Sequence, residues 1–181
     1  MGHCTNLKED RDLGEFWEKM FCKLAKENQL SFTPMQIGRE SSAVAAAPDG
    51  KYYTLPDITI WSAPGEHHEI KHKQPNRYGR YGLERYRFDA LVWFWRETGQ
   101  EVLYTIHDWR TAGGKWLTEN NIDHWVTATI ERLYEVVARG EMLEFPGDSY
   151  VNGEVKRVPI CYWKTENWLP LERRWWINVP F

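Results

Sequence analysis

The sequence predicts an α/β sandwich built on a mixed central sheet with helices packed on its faces. Three observations carry that prediction. Apolar residues recur at helical spacing over three separate segments. Short β-favouring runs lie between those segments, in the order helix, strands, helix, strand, helix. A turn signal joins two of the runs into a central hairpin, and a second hairpin signal lies towards the C-terminus.

Taken in order, Asp12 reads as an N-cap, with Glu15 three residues on as its capping-box partner. Leu13, Phe16, Trp17, Met20, Phe21 and Leu24 form one apolar stripe, on a helix ending near Asn28. Ser31 to Gly50 is less regular, with Ser41-Ser42 and the small run from Ala43 to Ala47. It is read as a strand and a loop, with a turn at Pro48-Asp49-Gly50. Leu55 to Trp61 is a strand, Pro64-Gly65 a turn, and His68 to Lys73 a second strand. Gly79 and Gly82 flank Arg80-Tyr81, which predicts a flexible, basic, aromatic loop. A helix from about Leu83 to Thr98 stops at Gly99. Val102 to Ile106 is an apolar strand, and Trp109 to Leu117 is a loop containing Gly113-Gly114. Ile122, Trp125, Val126, Thr129, Ile130, Leu133 and Val137 predict a third helix, closed by Gly140. Asn152-Gly153 between Ser149-Tyr150-Val151 and Glu154-Val155-Lys156 is a two-residue hairpin. The tail from Tyr162 to Phe181 carries Trp163, Trp168, Trp175 and Trp176.

Length and composition set bounds. The 181 residues suit a single domain, with a core over about 13–140 and the C-terminal hairpin and tail over 141–181. Hydrophobic content of 42% and charged content of 27% are those of a soluble globular protein. Eleven Trp and nine Tyr exceed ordinary usage; packing in a core rich in large side chains explains most of them. Cys4, Cys22 and Cys161 form no metal or disulfide spacing, which fits a reducing, cytoplasmic compartment. No apolar run reaches a membrane span, and the polar N-terminus predicts no secretory signal. There is no Gly-x-Ser-x-Gly and no phosphate-cradling glycine loop, so serine hydrolase and nucleotide-triphosphate chemistry have no support. The net charge of −3 argues against attraction of nucleic acid by the whole surface. One strip differs. From Lys71 to Arg87 the chain holds Lys71, Lys73, Arg77, Arg80, Arg85 and Arg87 against Glu84 alone. Its place directly after the hairpin makes it a candidate for phosphate contact.

The chemistry-bearing residues sit on the first hairpin. Side chains alternate along a strand, so Glu69 and Lys71 point to one face. Asp57, on the neighbouring strand, can reach that face. Two carboxylates beside an ammonium are costly unless something uses them, and a hard divalent cation takes oxygen ligands. The lysine can then steer a water or steady a developing anion. His68 and His72 face away from Glu69 and Lys71, and no zinc-ligand spacing links the histidines to Cys161.

Pro56-Asp57 followed by Glu69-Ile70-Lys71, on a Pro-Gly hairpin after an acid-bearing helix, resembles the PD-(D/E)xK nuclease superfamily. The resemblance covers roughly Leu13 to Asp108 and implies the restriction-endonuclease-like fold. It implies a Mg²⁺-dependent deoxyribonuclease, with Mn²⁺ able to substitute. Asp57 and Glu69 are the implied metal ligands, the Ile70 carbonyl joins them, and Lys71 is the catalytic lysine. Many members add a glutamate from the first helix. Gly14-x-x-x-Glu18 fits that pattern and Glu18 lies nearer the apolar stripe than Glu15, so Glu18 is the fourth expected site residue. Lys73, Arg77, Arg80, Arg85 and Arg87 are the expected phosphate contacts. DNA is the implied partner, bound by one chain or by a homodimer. Small nucleases of this fold are common in phages and mobile elements. The helix after the motif offers Tyr86 but no Gln, which departs from the RecB-type exonuclease branch. The rival readings are an inactive member of the fold that binds nucleic acid or protein, and an interaction protein docking through its aromatic tail.

Overall fold

A computed structural model gives the structure of the chain and describes residues 7–35, 44–48, 50–61, 65–114, 120–151 and 154–177. In chain order the elements are α1 (Leu7–Glu27), β1 (Phe32–Pro34), β2 (Val44–Ala46), β3 (Tyr52–Thr54), β4 (Ile58–Ile60), β5 (Glu66–Lys73) and β6 (Arg80–Glu84). There follow α2 (Arg85–Thr98), β7 (Glu101–Asp108), β8 (Trp125–Thr129), α3 (Ile130–Ala138), β9 (Leu143–Val151), β10 (Glu154–Lys164), β11 (Leu169–Pro170) and α4 (Leu171–Ile177).

The main sheet has six strands in the order β1-β4-β5-β7-β8-β11. β5 and β7 run parallel, and the other pairs are antiparallel. A parallel pair needs a long crossover, which β6 and α2 supply. β7 is buried on both faces, as expected of a strand inside a covered sheet. Its alternation divides the core. Val102, Tyr104 and Ile106 join Phe88 and Leu91 of α2 and Leu133 and Val136 of α3 on one side. On the other side, Trp17 and Phe21 of α1 meet Ile58, Ile60, Ile70, Trp125 and Trp175. The expected mixed sheet with helices on its faces is therefore present. A second sheet, β6-β10-β9, and a small pair, β2-β3, flank it.

Several element expectations need correction. α1 begins by Leu7, so Asp12 and Glu15 lie inside the helix rather than at its cap, and Glu15 bonds Lys19 one turn on at 2.6 Å. No helix breaker stands before Leu13 to enforce the later start. Arg80 to Glu84 is a strand, not a flexible loop, because β10 pairs with it from Lys164↔Arg80 to Ile160↔Glu84. The predicted third helix is three elements. Ile122–His124 forms one short 3-10 turn, Trp125-Val126-Thr127-Ala128-Thr129 pairs with β7 as β8, and only Ile130–Ala138 is α-helical. That run is aromatic and β-branched, and a buried partner strand decides its state. Thr129 closes the strand and caps α3, its hydroxyl accepting from the Arg132 N–H at 3.1 Å. α2 ends as expected at Gly99, whose φ of 64° is left-handed and whose N–H donates to Trp95 O at 2.9 Å.

The C-terminal hairpin is longer than read, with β9 and β10 paired from Glu154↔Val151 to Tyr162↔Leu143. The aromatic tail is not a free docking arm. Trp163 is fully buried and donates to Leu133 O at 3.1 Å, while Trp168 and Trp175 pack in the two cores. Ser41-Ser42, Ala43, Asp49, Pro64, Leu117, Asn152-Gly153 and the side chain of Trp176 lie outside the described residues. Among the described residues, no helix is long and apolar enough to cross a membrane.

Candidate active site

The antiparallel register Ile58↔His68 sets Asp57 beside Glu69. Asp57 occupies the bend just before β4, after the buried Pro56. Its Oδ2 accepts the Ile70 N–H at 2.8 Å, which ties the aspartate to the middle of β5. Lys71, two residues from Glu69 on the same face, donates to Glu69 Oε1 at 2.5 Å and to Ile70 O at 3.2 Å. Its Nζ stands 3.9 Å from Asp57 Oδ2. The structure thus brings Asp57, Glu69, Ile70 and Lys71 to one point.

A further group enters that point. Arg87, from the first turn of α2, donates through Nε to Glu69 Oε1 at 2.7 Å and through Nη2 to Glu69 Oε2. The same Nη2 lies 3.3 Å from Asp57 Oδ1 and 3.2 Å from Leu55 O. Glu69 is 0% exposed, Asp57 4% and Arg87 8%, so this is a buried ion cluster and not a surface pair. Lys71 and Glu18 are half-buried.

The charges are unevenly shared. Burial would raise the Glu69 carboxyl, but Arg87 and then Lys71 outweigh it and hold it at about 2. Burial, followed by repulsion from Glu69, pushes Asp57 up to about 6. Burial and then Asp57 push Glu18 up to about 7, so Glu18 feels the cluster from α1. Burial would lower the Lys71 ammonium, yet Glu69 and Asp57 hold it protonated. Two of three carboxyls are therefore short of positive charge despite Lys71 and Arg87.

Among the described residues, no three His, Cys, Asp or Glu side chains stand together as a ready-made metal cage. The donors present still fit Mg²⁺. That ion keeps several waters and takes one or two carboxylates, here Asp57 and Glu69, and the carbonyl of Ile70 is a third oxygen at hand.

The basic strip is less uniform than its sequence suggests. Arg77 is exposed and lies 4.7 Å over the Tyr78 ring. Arg77 and half-buried Arg80 line a cleft of about 460 Å³ with Lys73, Asn76 and Tyr162. Arg80 Nη1 is buried without a hydrogen-bond partner among the described residues. Lys73 is half-buried and donates to Gly82 O at 2.7 Å. Arg85 is tied to Asp89 at 2.8 Å and to Glu144 at 3.1 Å. Arg87, expected among exposed phosphate contacts, instead points inward to the carboxylates. A sequence signal for this exists: Arg87 shares a helix face with Ala90 and Leu91, both buried.

His67 and His68 take packing roles. His67 bonds Thr59 at 2.9 Å and Gln100 at 2.6 Å, and His68 bonds Thr105 at 2.8 Å. Cys161 bonds Glu144 at 3.7 Å, in the second sheet, and shares no site with the histidines.

No protein family matches the chain in sequence, and no curated protein does. In fold, the chain is similar to Hjc, a Holliday junction resolvase from the archaeal hyperthermophile Archaeoglobus fulgidus. The TM-score is 0.50 at 12% identity, over 90% of this chain and 99% of that one. The likeness establishes the fold alone: a mixed sheet flanked by helices, of the restriction-endonuclease-like kind.

Proposed function

We propose that the chain is a divalent-metal-dependent nuclease that hydrolyses DNA phosphodiester bonds. One observation carries the reading: Asp57, just before β4, meets Glu69 and Lys71 of β5 at one point, in a fold similar to that of a junction resolvase. Asp57, Glu69 and the Ile70 carbonyl would hold Mg²⁺ or Mn²⁺, with Glu18 reaching it directly or through water. The chemistry supplied by a bound divalent cation is a water of lowered pKa and neutralised charge on the phosphate. Lys71, held protonated by the carboxylates, would steady the added negative charge of the pentavalent phosphorus. Arg77 and Arg80 would anchor a flanking phosphate in their cleft. Such contacts position the strand and do not read its sequence.

A second reading has a specific observation behind it. The Arg87 fork on Glu69 suits an inactive module that binds nucleic acid with no metal. Incubation with labelled single strands, duplexes and four-way junctions, each with Mg²⁺, Mn²⁺ or EDTA, separates the two. Cleavage with metal and none with EDTA supports the nuclease. Binding without cleavage of any substrate supports the module.

A further inference from the structure

Arg87 Nη2 occupies the bridging position between the two candidate metal ligands. It is bonded to Glu69 Oε2 and lies 3.3 Å from Asp57 Oδ1. A cation shared by those carboxylates would take the same place. Glu69 has little acceptor capacity left over. Oε1 receives both Arg87 Nε and Lys71 Nζ, and Oε2 receives Arg87 Nη2, three contacts for about four lone-pair sites. A guanidinium cannot give up its charge at any accessible pH, so it cannot vacate the position by deprotonation. Its positive charge and that of a dication a few ångströms away repel strongly in a buried site.

We propose that Arg87 is a resident counter-ion of the candidate metal site: it competes with the divalent cation for Glu69 and so sets the metal affinity. This rests on the metal-dependent reading above. Arg87 is then a positioning residue, holding the carboxylates together when no metal is bound and yielding Glu69 when one binds. Its helix position supports such a role. Phe88 and Leu91 of the same helix are buried in the core, which anchors α2 beside the cluster while the Arg87 side chain moves.

The test is calorimetric titration of the full chain with Mn²⁺, for the parent, Arg87→Met and Arg87→Lys, with folding checked by circular dichroism. Competition predicts that Arg87→Met binds Mn²⁺ about ten-fold tighter or more, the scale on which residues supporting a metal site act. Arg87→Lys, which keeps the charge and loses the fork, should fall between the two. Equal or weaker binding by Arg87→Met overturns the proposal, because Arg87 then merely orients Glu69. A measurement on the parent needs no variant to fold. In a spectrum of ¹⁵N-arginine-labelled protein, the Arg87 Nε–H signal should shift on saturation with Mg²⁺. If Mg²⁺ binds and that signal does not move, the competition is refuted while the nuclease reading stands. If neither parent nor variants bind any divalent cation, the metal reading falls and takes this proposal with it.

Discussion

Arg87 grips both oxygens of Glu69, a carboxylate with no exposed surface. Removing one partner of such a pair leaves the other charge buried and unpaired. Without metal, Arg87→Met should therefore lower unfolding stability by about 3–5 kcal/mol, measured by denaturant titration in EDTA. Divalent metal should restore part of that loss by mass action, because only the folded chain assembles the carboxylates. A change within experimental error in EDTA would show that the fork contributes nothing to the fold.

His107 sets a pH dependence of its own. It stacks at 3.4 Å on Trp17 and touches His72 at 3.0 Å, with His124 on its other side. Burial first, then His72 and His124, lower its pKa from 6.5 to about 3. The unfolded chain therefore binds a proton that the folded chain refuses between those values. Its contribution is undiminished above pH 6.5 and is lost as pH falls towards about 3. Denaturant titrations from pH 7.5 to 4 should show parent stability falling more steeply than that of His107→Gln. Identical slopes would mean that His107 titrates as it does in water.

The meeting of Asp57 with Glu69 and Lys71 is legible in the sequence, because period-two alternation and a Pro-Gly turn leave few other pairings. The direction of Arg87 is harder to see. A charged residue on a helix is ordinarily solvated, and its burial depends on a carboxylate eighteen residues upstream. The β8–α3 junction is hidden for another reason. The apolar positions from Ile122 to Val137 satisfy helical spacing throughout, and only the pairing with β7 turns the first half into a strand. The tail tryptophans leave an aromatic docking arm open as a rival reading, because their partners, Leu133 for Trp163 and Phe21 for Trp175, lie far away in the chain.

That junction is itself testable. Thr129 is the last residue of β8 and the cap of α3. Thr129→Ala should cost about 1 kcal/mol in denaturant titration. It should leave cleavage at saturating metal unchanged, since β8, which ends at Thr129, is separated from β5 by β7 in the sheet. A loss of cleavage at unchanged stability would tie α3 to the site.

Of the basic strip, Arg77 and Arg80 remain turned to the cleft, while Arg85 and Arg87 are held by carboxylates. Neutralising Arg77 and Arg80 together should weaken duplex binding and flatten log affinity against log salt by roughly 0.9 per lost contact. Neutralising Arg85 should change the slope little. An unchanged slope in the Arg77/Arg80 double variant would move the phosphate contacts elsewhere on the chain.

The Asp57–Glu69–Lys71 cluster is proposed to cleave DNA with a divalent cation. The direct measurement is cleavage of labelled junction and duplex DNA by the parent, Asp57→Asn, Glu69→Gln and Lys71→Met, in Mg²⁺ and in EDTA. Cleavage is predicted for the parent in Mg²⁺ alone and for none of the variants. Cleavage that survives EDTA, or that persists in Asp57→Asn and Glu69→Gln, would contradict the claim.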